Sequence, residues 1–216
     1  MENFSTVQQI LIWTIPVLFA ITLHEVGHGY AAKVLGDPTA ANMGRLSLNP
    51  LKHVDPMGTV VVPLLAFFLS GFVFGWAKPV PVNWGRLKNR KRDIALVALA
   101  GPGANLAMII FWLSLAMLFM DGANQNNIFA LVIVLMSMAG IIINSLLMIL
   151  NLFPLPPLDG SRVMYSLLPD KLGHQYLRIE PFGMIILVVL LVSGILFKIL
   201  GPILTYVQQF LFQLII

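Results

Sequence analysis

The stretch that decides the fold reads VQQILIWTIPVLFAITLHEVGHGYAAKV, from Val7 to Val34. It is long enough to cross a bilayer, which takes about 20 mostly apolar residues. Its second half nevertheless carries His24, Glu25 and His28, and no Lys or Arg lies within a turn to pair with Glu25. Ionisable groups inside a span are costly and mark a functional site by default. On a helix His24 and His28 stand one turn apart on one face, so two imidazoles can hold one metal ion. Glu25 beside them can act as general base on a metal-activated water. With four His among 216 residues, such an HExxH pattern is expected by accident only about 0.001 times. Residues Met1 to Ser5 carry Glu2 and no basic residue, and no small-residue cleavage site closes the run. The stretch therefore reads as a retained helix and not as a cleaved signal.

The rest of the chain has the same character. Hydrophobic residues make up 58% and charged residues 10%, with a mean hydropathy of +0.89. A soluble domain carries roughly 25% charged residues, so a soluble enzyme, a disordered chain and a conventional nucleic-acid binder are excluded. The absence of cysteine leaves His and carboxylate as the metal ligands. Further apolar stretches cover Met57–Trp76, Ile94–Met120, Ile128–Phe153, Phe182–Leu200 and Pro202–Ile216. The last is short and carries Gln208, Gln209 and Gln213, so it reads as a short span or an interfacial helix. Met57–Trp76 is broken by Pro63, Gly71 and Gly75, which suits a re-entrant hairpin better than a straight helix.

Charge gives the topology. Twelve of the 13 Lys and Arg residues lie in three places: Lys33 to Lys52, Lys78 to Arg92, and Arg162 to Arg178. Basic loops stay cytoplasmic. All twelve fall on that side only if Met57–Trp76 enters and returns, with the N-terminus outside. The expected fold is an all-α polytopic membrane protein of about five transmembrane helices plus a re-entrant hairpin with short β-strand segments. It forms one domain over 1–216, with a catalytic core at about 10–165 and C-terminal helices at about 181–216.

A catalytic zinc normally has three protein ligands and an open position. Asp37, Asp55, Asp93, Asp121 and Asp170 read as ordinary loop or boundary acids. Asp159 differs, because it follows Pro154, Pro156 and Pro157. Prolines so placed cannot continue a helix, and irregular backbone at membrane depth survives only against protein or a wet cavity. The competing reading of Asp159 is a helix N-cap. His53, near Asp55, has two readings, a fourth metal candidate and, as the plainer one for a loop histidine, a surface or hinge residue.

Three segments then carry a resemblance: His24–His28, Gly101-Pro102-Gly103-Ala104-Asn105, and Asn151 through Gly160. In this order they resemble the signatures of the site-2 protease family of intramembrane zinc metalloproteases. Asn49–Thr59 and Gly75–Asn83 resemble its compact prokaryotic branch. The resemblance implies His24, His28 and Asp159 as ligands of one Zn2+ per chain and Glu25 as catalytic base. It implies helper roles for Asn105 and Asn151 in positioning substrate or stabilising an oxyanion. The chain departs from many relatives in that no span precedes the first and there is no room for a PDZ or CBS domain.

Read from the residues alone, Ser137, Asn144 and Asn151 are spaced by seven and share one helix face. Asn144 has two readings, interhelical hydrogen bonding and substrate binding. Asn105 is balanced between packing and active-site donor. In Lys78–Asn83, alternating prolines leave Val80 and Val82 as backbone donors along one edge, suited to holding an unwound substrate by strand addition. A polyproline-like loop is the plainer alternative.

The expected function is zinc-dependent cleavage of transmembrane segments by metal-activated water attack. The expected setting is a prokaryotic cell (inner) membrane, with the site toward the cytoplasm. The partners are a transmembrane protein substrate and the lipid bilayer, with no nucleic acid; a homo-oligomer is compatible with this. The alternatives are a non-catalytic membrane metal carrier and a membrane metallopeptidase acting on soluble tails.

Overall fold

The computed structural model describes residues 4–61 and 77–215. Helix α1 spans Thr6–Val34 and begins at a capping box, in which Gln8 N–H donates to Ser5 Oγ and Ser5 N–H to Gln8 Oε1. The short α2 covers Thr39–Asn42. Helix α3 (Arg90–Asn124) is the longest described, and α4 (Ile128–Asn151) follows it. Then come α5 (Asp159–Leu167), α6 (Asp170–Leu177), α7 (Glu180–Val192) and α8 (Ile195–Gln213).

Helices α1, α3, α4 and α8 are long and apolar enough to cross a membrane. The pair α6–α7, bent by 61°, makes a fifth if counted as one broken span. At 1.5 Å per residue, the 35 residues of α3 extend about 52 Å, well beyond the ~30 Å hydrocarbon core. Its charged first turn and polar last turn therefore lie outside the apolar stretch Ile94–Met120.

Helices α1, α3 and α4 pack mutually, α5 sits on α3, and α8 leans on α4. Three contacts gather the charged segments at one end. Lys88 N–H donates to the Leu35 carbonyl, Lys78 N–H to the His53 carbonyl at 2.9 Å, and Lys91 Nζ to the Leu168 carbonyl. An apolar cluster of Ala32, Leu87, Ile94, Val97 and Tyr165 seals that end beneath them. The expected hairpin lies outside the described residues, except for the π-helical turn Pro56–Val61.

No β-strand occurs among the described residues, which leave out most of the hairpin expected to carry the strand segments. Residues 78–83 have no regular structure, and the amides of Val80 and Asn83 bond to side chains instead of to a second strand. The break between the last two helices falls at Gly194, not before Pro202. Gly194 adopts the left-handed conformation (φ 72°) that ends a helix. Pro202 lies inside α8, where it removes one N–H from an otherwise intact ladder.

Candidate metal centre and active site

The two imidazoles come from one face of α1, and α3 fixes how they point. Helices α1 and α3 approach closely at Gly27 of the first and Gly101 of the second. A Cβ on Gly27 would come within 2.8 Å of the Ala100 carbonyl oxygen, and one on Gly101 would run into both imidazoles. Small residues at such a crossing let the backbones approach. The approach brings His28 Nδ1 within 2.7 Å of the Val97 carbonyl and His24 Nδ1 within 2.7 Å of Asn105 Oδ1. Both partners accept, so each Nδ1 carries its proton and each Nε2 presents a lone pair. A metal-binding histidine needs that tautomer.

Asp159 opens α5, directly after the proline-rich turn. Its Oδ2 lies 3.2 Å from both Nε2 atoms, which are themselves 3.1 Å apart. This nearly equilateral triangle matches a tetrahedral zinc site, where bonds of about 2.0 Å put ligand atoms about 3.3 Å apart. The same Oδ2 is buried without a hydrogen-bond donor. The donor set of two imidazoles and a carboxylate therefore fits one zinc ion. Among the described residues, it is the one group of His and acidic side chains whose donor atoms converge in this way. His53 is buried elsewhere, with Nε2 on the Ser47 carbonyl at 2.9 Å.

The triad and Glu25 line a cavity of 460 Å³. Its walls are largely apolar, with Ile21, Leu147, Leu150, Met184 and Leu187 among them. Asn151 is on the wall, with its Nδ2 donating to the Leu147 carbonyl at 2.9 Å. Val80 and Val82 line it as well. The Val80 N–H does not stand free; it donates to Glu25 Oε2 at 2.7 Å. Asn105 and Asn144 are fully buried and line no part of the cavity. Asn105 faces His24 from behind, and Asn144 stands behind Asn105.

Several contributors escaped the sequence reading. Asp37 is fully buried, not on the surface. Its Oδ2 accepts from the Asn83 amide at 2.6 Å, and its Oδ1 accepts from the Thr39 amide and hydroxyl. Burial alone would raise this carboxyl. The hydrogen bonds from Thr39 and the Asn83 amide, with Arg86 nearby, outweigh burial and hold it below the usual carboxylate range. Arg45 Nη2 donates to the Lys78 carbonyl at 2.8 Å. Segment 78–83, which holds Glu25, is thus pinned at both ends. Asp93, also read as a surface acid, is fully buried and accepts from the Asn89 amide. Arg162, one turn after Asp159, lines the cavity, pairs with Glu180 and lies over the Trp84 ring. The contacts from Asp37 to Asn83, Arg45 to Lys78 and Arg162 to Glu180 and Trp84 join residues far apart in sequence, and no local pattern announces them.

No family model matches the chain, and no solved structure matches it significantly. Curated proteins do. The Bacillus subtilis (strain 168) protein named "Putative zinc metalloprotease YwhC" is 37% identical over 192 residues, covering 88% of this chain and 84% of the relative. Two proteins named "Putative zinc metalloprotease Rip2" also match. The one from Mycolicibacterium smegmatis is 32% identical, and the one from Mycobacterium tuberculosis (H37Rv) is 29% identical. Each alignment covers 82% of this chain but only 64% of the mycobacterial protein. With 37% identity running through most of both chains and a zinc-compatible triad at the convergence of α1, α3 and α5, this chain belongs to the site-2 protease family of zinc metalloproteases.

Proposed function

We propose that the chain is a zinc-dependent intramembrane endopeptidase that cuts transmembrane segments of other membrane proteins. One observation carries the reading. The two histidines and Glu25 sit on a helix long and apolar enough to span a membrane, and they open into an apolar-walled cavity. A soluble substrate gains little from such walls, whereas an apolar segment leaving the bilayer does. Gathering of the basic segments at one end supports a site toward the cytoplasm, in a prokaryotic cell (inner) membrane.

His24, His28 and Asp159 would hold the zinc. Zinc in such a site polarises a carbonyl and lowers the pKa of water toward about 7. Glu25 takes a proton from the attacking water with one carboxylate oxygen while Val80 N–H holds the other. Glu25 then delivers that proton to the leaving amine. Asn151 has one amide N–H engaged by Leu147 and offers the other to the oxyanion of the tetrahedral species. Val82 N–H, without a partner among the described residues, is the backbone donor left for an unwound substrate.

The test uses purified protein in lipid vesicles and a transmembrane peptide. The expected result is cleavage inside the apolar segment, lost on chelation and restored by Zn2+. Cleavage confined to the soluble flank would move the assignment to a peptidase of soluble tails. Zinc uptake without any cleavage would make the protein a metal carrier.

A further inference from the structure

The two zinc-facing histidines are oriented by different kinds of acceptor. His28 Nδ1 meets the Val97 carbonyl, a backbone oxygen of a helix that has no second orientation. His24 Nδ1 meets Asn105 Oδ1, one end of a planar amide that offers an acceptor or, after a half-turn, a donor. A donor facing His24 would oppose the Nδ1–H tautomer and remove the Nε2 lone pair from the metal site. Something must therefore hold the Asn105 amide with its oxygen forward.

The structure supplies that hold. Asn105 Nδ2 donates to the Ala20 carbonyl at 3.3 Å and to Asn144 Oδ1 at 2.9 Å, which uses both of its hydrogens. Asn144 has the same freedom to turn, and its Nδ2 donates to the Gly140 carbonyl at 2.8 Å. Turning Asn105 would aim its oxygen at two acceptors and its NH2 at the His24 Nδ1–H. Turning Asn144 would set its NH2 against the NH2 of Asn105. Both side chains are fully buried, so no water is at hand to satisfy a reversed amide, and an unmade buried hydrogen bond is costly.

We propose that Asn105 and Asn144 form a one-way hydrogen-bond relay, running from the Gly140 carbonyl on α4 through α3 to His24 on α1, that fixes the metal-binding tautomer of His24. In this relay Asn105 and Asn144 are positioning residues, and neither touches substrate. The relay rests on the zinc assignment of His24, His28 and Asp159, and the experiment separates the two. Partners that orient a metal ligand typically carry 10–100-fold in metal affinity.

The measurement is Co2+ affinity of the purified protein in detergent, read by competition with a chromophoric chelator and by the Co2+ absorption spectrum. Asn144→Leu keeps the volume and removes the acceptor, and it is expected to weaken Co2+ binding tenfold or more. Ser137→Ala alters an equally buried residue of the same stripe, whose hydroxyl bonds only to its own helix at Ile133. It is expected to leave affinity unchanged. Asn105→Asp placed in the Asn144→Leu background is expected to restore most of the loss, because a carboxylate presents an oxygen to His24 whichever way it turns. Helical content by circular dichroism verifies folding; if Asn144→Leu fails it, Asn144→Ala is measured in its place. A loss below tenfold, an equal loss in Ser137→Ala, or no recovery in the double variant would overturn the relay alone. Wild-type protein that takes up no Co2+ would overturn the metal assignment and the relay together.

Discussion

His24 and His28 bond through α3, whereas Glu25, between them in sequence, bonds to segment 78–83. The histidines' supports are a helix carbonyl and a buried amide chain inside a three-helix bundle. The glutamate's support is one backbone N–H on a segment without regular structure, held in turn by Asp37, Arg45 and the His53 carbonyl. The difference assigns two jobs to two regions. The bundle orients the two histidines, and the loops around segment 78–83 hold Glu25. Mutations should therefore separate metal retention from proton transfer.

The largest expected effect tests that separation at Glu25 itself. Glu25→Gln should lower the cleavage rate by roughly 10²–10⁴-fold, the ordinary range for a general base, while zinc content stays at one per chain. Gln keeps an oxygen for the Val80 N–H but cannot take the proton. Turnover near wild type would remove Glu25 from the base role.

On the bundle side, Asp159→Ala should strip most of the zinc under dialysis conditions that leave Asp55→Ala and Asp37→Ala fully loaded. Metal analysis of the three purified variants decides it. Equal zinc in Asp159→Ala and wild type would refute Asp159 as a ligand.

On the loop side, Asp37→Ala should lower kcat about tenfold with zinc content unchanged, because segment 78–83 loses one anchor and Val80 drifts from Glu25. Loss of zinc in this variant would show that the two regions are not independent. The same anchor has a pH signature. Asp37 has a folded-state pKa below its ordinary value. Its contribution is complete above the ordinary carboxylate range and is lost as pH falls through the folded value. Acid unfolding of the loop region, followed by Trp84 fluorescence, should therefore begin at higher pH in Asp37→Ala than in wild type.

The smallest effect is expected from surface labelling, which tests where the loop side lies. The chain has no cysteine, so single cysteines can be introduced directly at the exposed Asn42, Asn89 and Asn124. Asn42→Cys and Asn89→Cys should react with a membrane-impermeant reagent from the cytoplasmic face, and Asn124→Cys from the opposite face. Activity should stay near wild type in all three. Labelling of positions 42 and 89 from opposite faces would break the proposed orientation.

The sequence is most legible where chemistry repeats along a helix. His24 and His28 declare themselves by spacing, and Asp159 by the prolines that end α4. The Asn144–Asn151 stripe declares a polar face, but spacing alone does not separate the cavity from the interior. Asn151 lies on the cavity wall and Asn144 one layer behind it. Asp37 and Asp93 are hard to read because part of their support comes from backbone amides, of Thr39 and Asn83 for the first and of Asn89 for the second, which carry no residue-type signal. For Asp37 the Asn83 amide also lies 46 positions away. The break between the last two helices lies at Gly194 and not between the apolar stretches Phe182–Leu200 and Pro202–Ile216. A helix survives one missing N–H more readily than a residue at positive φ.

Asp159 completes a triad whose first two members lie 135 and 131 positions earlier. At a synthesis rate of about 5–20 residues per second, α1 waits roughly 7–26 s for its third metal ligand after His28 is made. Throughout that interval the chain has Glu25 and the two imidazoles but lacks the Asp159 carboxylate and the turn that delivers it. The order of the three segments thus separates the first donors from the last in time as the chain is made. The complete donor set therefore exists only after α3 and α4 have been made.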